Sequence, residues 1–214
     1  MTPSAQILLG AISGALAGLL LWRWLRTGGH RRLDDRSHLT LSGEWAVVPM
    51  AAAGGAIAGT VAGWVALPVW VYLVGGALVV WIDLDVRRIP DQVLKVWVPV
   101  LGGGVIAAAV GEGSWALLGG AVAGSLSLGV LFLLLALIGS MGLGDVKLAT
   151  VTGLLVGAMG CVSVVTAVVA SFLMAGTVAA WKLIRGASRS QHLAFGPAII
   201  LGAAVAVLRF GLGV

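Results

Sequence analysis

The sequence predicts an all-α fold, a polytopic membrane helix bundle of about eight transmembrane helices. Sixty per cent of the 214 residues are hydrophobic and 10% are charged, whereas a soluble domain carries about 25% charged residues. The apolar residues fall in long runs separated by short polar segments, and mean hydropathy is +1.10. At about 20 residues per spanning helix, the length admits about seven to nine spans. Eight acids and thirteen bases cannot cover a water-soluble core. The lone Cys161 excludes a disulfide-stapled domain, and the same composition excludes disorder and collagen-like repeats.

The first span is expected over residues 4–25. No base precedes it, and Arg23 and Arg26 close it. It therefore reads as a retained span with its N-terminus outside, not as a cleaved secretion signal. A polar stretch over 26–44 follows, holding His30, Arg31, Arg32, Asp34, Asp35 and Arg36. The apolar run 45–82 exceeds one span, and Pro68 with the small residues around Gly63 predicts two helices. Further spans are expected over 93–110 and 115–138. The run 146–183 again predicts two, broken near 157–161, and the last covers 195–212. Small residues at Gly10 and Gly14, and at Gly120 and Gly124, suit close helix approach.

Cytoplasmic loops are enriched in Lys and Arg. Twelve of the thirteen bases lie at odd-to-even connections of this eight-span scheme: Arg23, Arg26, Arg31, Arg32, Arg36, Arg87, Arg88, Lys95, Lys147, Lys182, Arg185 and Arg189. Only Arg209 lies elsewhere, and the opposite connections hold one acid, Glu112. The expectation is a multi-pass protein of the inner (plasma) membrane with both termini outside. Because the net charge of +5 is spread over four short loops, it reads as topology and contact with lipid headgroups, with no nucleic-acid partner. Trp22, Trp24, Trp45, Trp81 and Trp97 near span ends read as interfacial anchors.

Ionisable groups at a membrane boundary are costly and point to function. Asp34, Asp35 and Glu44 lie in a polar loop, which leaves Asp83, Asp85, Asp91 and Asp145. Asp83 closes the third predicted span and Asp145 opens the sixth. Two crossings lie between them, so both belong to the cytoplasmic face. Two converging carboxyls can share one proton. The ionised member then takes a proton from water attacking an amide while the protonated member polarises the carbonyl. Gly142 and Gly144 remove side chains beside Asp145, where a backbone could approach, although a tight turn or a helix-capping role for Asp145 would explain the same residues. No metal or cofactor is expected: His30, His38 and His192 lie in polar loops without ligand spacing, and Cys161 alone makes no metal site.

These residues resemble the type IV prepilin peptidase family, the GxGD-type membrane aspartyl proteases that remove leader peptides from pilin precursors. Asp83 followed by Arg87-Arg88-Ile89-Pro90-Asp91 matches one signature, and Gly142-Leu143-Gly144-Asp145-Val146-Lys147 matches the second. Phe195-Gly196-Pro197 is a third, weaker match. The likeness covers residues 67–214, a membrane catalytic domain, and residues 1–66 are a separate N-terminal pair of spans. It implies that Asp83 and Asp145 are the catalytic pair. The family accepts Asp or Asn at position 91, so Asp91 is not expected to transfer protons. Pro90 shapes the loop entering the fourth span. Lys147 is either a charge partner near Asp145 or a snorkelling interfacial lysine, and Asp85 is expected to pair with Arg87 or Arg88. Longer relatives carry a cysteine-containing cytoplasmic domain after the first span, linked to N-methylation. The corresponding loop here holds about nineteen residues and no Cys, so a short, peptidase-only form is expected.

The implied substrates are prepilin-like membrane-anchored precursors, with the lipid bilayer as the other partner and the oligomeric state open. Two other classes compete: a proton-coupled transporter, which calls for mid-span acids and an internal repeat, and a non-enzymatic part of a pilus or secretion machine, in which the Asp groups only cap helices. A metal-dependent lipid-phosphate enzyme using Asp83 and Asp85 lacks a further acidic motif.

Overall fold

The computed structural model describes residues 2–28, 30, 43–139, 141–185 and 195–213. Among them are eight α-helices: α1 (Pro3–Arg26), α2 (Val47–Ala58), α3 (Ala66–Val86), α4 (Asp91–Gly111), α5 (Ala116–Leu137), α6 (Leu143–Ala158), α7 (Cys161–Ile184) and α8 (Gly196–Leu212). A single 3-10 turn, Glu44–Ala46, leads into α2. The all-helical membrane bundle is as the sequence predicts, but its count of spans needs correction. Five helices, α1, α3, α4, α5 and α7, are long and apolar enough to cross a membrane. At 1.5 Å rise per residue, α2 (12 residues), α6 (16) and α8 (17) fall short of a hydrocarbon core about 30 Å thick.

Each boundary has a local cause. Thr2 caps α1, and Pro3 opens it without needing an amide donor. The run 45–82 breaks at a turn containing Gly63 at φ +73, and the Trp64 amide there donates to Glu112 Oε1 at 2.6 Å. Pro68 sits in the first turn of α3, where its missing N–H costs nothing. α3 stops at Arg87, the one non-glycine residue with positive φ (+49) among those described. Gly160, at φ +105, separates α6 from α7.

α3 is the central helix: 14 of its 21 residues are buried, so neighbours surround it. α5 and α7 each bury only four residues, Ala121, Gly124, Leu128 and Phe132 on α5 and four small residues on α7, and turn most of their Leu, Val and Ile side chains outward. Glycines set the closest approaches. Gly120 and Gly124 of α5 face Gly153 and Gly157 of α6, and a methyl group at Gly120 would overlap the Gly157 carbonyl. Gly10 and Gly14 of α1 meet Gly55 and Ala51 of α2 in the same way. Near the middle, the Tyr72 hydroxyl lies 2.6 Å from Thr152 Oγ1, joining α3 to α6. Trp97 of α4 stacks on Tyr72 at 5.3 Å and donates to the Val71 carbonyl at 3.0 Å.

Packing also corrects two readings. Trp24 and Trp45 are exposed, but Trp81 and Trp97 are buried in protein and are not interfacial anchors. Helix face, not position along the span, decides which tryptophans meet the interface. Cys161, expected to be buried because it lies in the apolar run 146–183, is exposed at the first position of α7.

Candidate active site

The helices alternate in direction, so one end of the bundle gathers the C-terminus of α3 and the N-termini of α4, α6 and α8. Both acids that the sequence singles out are there. Asp83, 5% exposed, lies in the last turn of α3, and Asp145 lies in the first turn of α6. The two carboxyls are within electrostatic range of each other, with Arg87 also in range of Asp83.

Each acid is held by a glycine amide. The Gly196 N–H, at the start of α8, donates to Asp83 Oδ2 at 3.1 Å. Asp145 is the third helical residue after the N-cap Gly142 and hydrogen-bonds the Gly142 backbone. This is the acidic half of a capping box, which satisfies an amide that the helix leaves unpaired. Asp145 lies outside the five long apolar helices. Burial pushes its carboxyl above the usual carboxylate range, and the Gly142 hydrogen bond pulls the other way.

Neither flanking glycine is required for backbone conformation or packing. Gly142 has φ −82, and a methyl group there or at Gly144 would find its nearest neighbours at 3.7 and 4.0 Å. At Gly144 a methyl group would rest against Ile89 in ordinary van der Waals contact, so the Gly-x-Gly pair leaves room for about one methyl group at each position beside Asp145. Ile89 and Pro90 belong to the short connection that follows the left-handed Arg87, and Pro90 caps α4 in an extended conformation. A left-handed non-glycine residue costs on the order of 1–3 kcal/mol. Here the cost falls four residues after Asp83, in the turn that carries Ile89 to Gly144.

The remaining candidates divide. Asp91 opens α4, and its Oδ1 accepts from Lys147 Nζ at 2.6 Å, an exposed ion pair bridging α4 and α6 beside the acids. The charge partner of Lys147 is therefore Asp91. Asp85 is fully buried, and its carboxyl meets His30, with Nε2 3.1 Å from Oδ2. His30 belongs to the polar stretch after the first span, yet it is 3% exposed, beside the Trp24 ring. The contact between His30 and Asp85 joins residues 55 positions apart in sequence. Asp34, Asp35, Arg31, Arg32, Arg36, His38, Arg189 and His192 lie outside the described residues. Among the described residues, no three His, Cys, Asp or Glu side chains converge as a metal would need.

Sequence reasoning left Gly196 and His30 without a role. The only signal for Gly196 was the Phe195-Gly196-Pro197 match. His30 carried none.

A protein-family model described as the type IV leader peptidase family matches residues 70–180. This range holds Asp83, Asp91, Asp145 and Lys147, and ends before Phe195. No curated protein and no solved structure matches the chain.

Proposed function

The chain belongs to the type IV leader peptidase family, and from that premise we propose that it is an aspartic endopeptidase with Asp83 and Asp145 as its catalytic pair. The observation that carries this reading is the convergence of two carboxyls, Asp83 buried and Asp145 half-buried, at one end of the bundle, each accepting a glycine N–H. Like charges so placed favour one shared proton. The ionised carboxylate takes a proton from water as the water oxygen attacks the amide carbon, and the protonated carboxyl gives its proton to the carbonyl oxygen. Collapse of the tetrahedral intermediate then breaks the C–N bond. One acid protonates the leaving amine and the other recovers the proton of the intermediate's hydroxyl.

The substrate in this reading is a small prepilin-like precursor, in which a short basic leader precedes an apolar helix. In this reading that end of the bundle faces the cytoplasm, which the enrichment of Lys and Arg in the flanking connections supports. The Gly142-Leu143-Gly144-Asp145 segment is the GxGD element, and the lone Cys161 supports a peptidase-only form without a zinc-bearing methyltransferase domain. Residues 67–214 would form the catalytic domain.

Co-expression of a candidate prepilin with the native protein, Asp83→Asn or Asp145→Asn tests this. Asn at 145 can still accept the Gly142 N–H, so a purely capping role predicts normal processing. The peptidase reading predicts full processing by the native protein and persistent precursor with either variant. Normal cleavage by both variants overturns it.

A further inference from the structure

We infer that Gly196 is a positioning residue: its backbone N–H holds Asp83 Oδ2, and the aromatic cluster around Phe195 holds that peptide in place. The inference rests on Asp83 being one of the two catalytic acids and adds a third helix, α8, to the site.

Gly196 is the first residue of α8 and is buried. Its N–H is among the helix-start donors that have no partner within the helix, and it donates to Asp83 Oδ2 at 3.1 Å across 113 positions of sequence. The next residue, Pro197, has no N–H to compete for the same oxygen. Glycine is required by approach distance: a Cβ at 196 would lie 2.6 Å from Asp83 Oδ2 and 3.1 Å from its Cγ. Asp83 is 5% exposed and has little room to retreat, so any side chain at 196 displaces the carboxyl.

The peptide is anchored by helices that carry neither acid. Phe195 packs edge-on against Phe132 of α5 at 6.0 Å and tilted against Phe172 of α7 at 5.5 Å. Phe132 and Phe172 also face each other at 6.0 Å. Three rings from three segments thus fix the approach to α8, and Gly196 transmits that placement to Asp83. A chemical consequence follows. With Oδ2 occupied by the amide, the proton that Asp83 gains or gives during the cycle resides on Oδ1.

The test uses full-length protein in proteoliposomes and a synthetic precursor with a basic leader and an apolar helix, comparing native, Gly196→Ala, Phe172→Leu, Gly103→Ala, Asp83→Asn and Asp145→Asn. Gly103 points into open space and is the control for adding a methyl group to a helix of the bundle. Displacing a catalytic group by about 1 Å can cost about 100-fold in rate. Gly196→Ala is therefore expected to lower kcat about 100-fold with KM within about twofold of native, and Gly103→Ala to leave both unchanged. Phe172→Leu touches no acid and is expected to lower kcat several-fold with KM unchanged. If Gly196→Ala does not accumulate, Phe172→Leu decides. A kcat within about twofold of native for whichever variant decides, or a loss confined to KM, overturns the positioning role. Inactive Asp variants beside a fully active Gly196→Ala would overturn this inference alone. Active Asp variants would overturn the peptidase reading itself.

Discussion

Replacing Tyr72 by Phe removes one hydroxyl from the centre of the bundle, and the structure gives the size of the effect. Thr152 Oγ1 donates its single proton to the Leu148 carbonyl at 2.9 Å. The 2.6 Å contact with Tyr72 must then have the tyrosine O–H as donor and Thr152 Oγ1 as acceptor. In Tyr72→Phe, Thr152 keeps its bond to Leu148 and the Phe ring keeps its stack on Trp97, so no polar group is orphaned. The loss is one hydrogen bond, about 1 kcal/mol by general mutational experience and about 0.6 kcal/mol for hydrogen bonds between membrane helices. Thr152→Val leaves the fully buried tyrosine hydroxyl without its acceptor, a penalty of about 1–3 kcal/mol. The double variant removes both groups and should be more stable than the sum of the single losses implies. Unfolding by titration with a denaturing detergent in mixed micelles measures all three. A cost for Tyr72→Phe equal to or above that of Thr152→Val, or strict additivity in the double variant, would refute the donor assignment.

Two further expectations concern packing and charge. Gly120→Ala drives a methyl group into the Gly157 carbonyl and should destabilise by about 1–3 kcal/mol, whereas Gly119→Ala, one residue earlier and facing open space, should be neutral or stabilise by about 0.5–1 kcal/mol; detergent unfolding midpoints compare them. Asp145 has its folded pKa raised, chiefly by burial, so its contribution is favourable below the ordinary carboxylate pKa of about 3.9 and is lost as pH rises through the raised value. Asp145→Asn, which keeps the cap, should therefore gain stability relative to the native protein between about pH 4 and neutrality; an unfolding difference that shrinks over that interval would contradict the assigned cause.

Most of the bundle was legible because apolar runs and glycine or proline breaks mark helices directly. The break before Pro68 and the one at 157–161 fall where the sequence puts them. Helix length was less legible. Hydropathy does not show how much of an apolar run is used in turns, and the run 45–82 gives residues 59–65 to a connection, which leaves α2 with 12 residues. At the site, Asp83 and Asp145 reach one end of the bundle as the parity of crossings requires, an inference that tolerates errors of several residues in each boundary. Gly196 and His30 were invisible for the opposite reason. Their contacts span 113 and 55 positions, and only the packing of helices distant in the chain creates them. Trp81 and Trp97 show a milder form of the same limit, because a residue's height in the bundle can be read from sequence while the direction it faces cannot.

The buried contact between His30 and Asp85 bears on how the chain can be divided. Residue 30 lies in the segment before the matched family region, and residue 85 lies two positions beyond Asp83. Two helices bounded at residue 66 look like a detachable cassette, yet exchanging them for foreign helices would take away the imidazole that meets a fully buried carboxyl. A grafted N-terminal segment would therefore change the polar surroundings of Asp85, at the end of α3 that also carries Asp83. The N-terminal segment is thus packed into the same helix end that positions Asp83, and a boundary at residue 66 cuts through a buried polar contact rather than between independent parts.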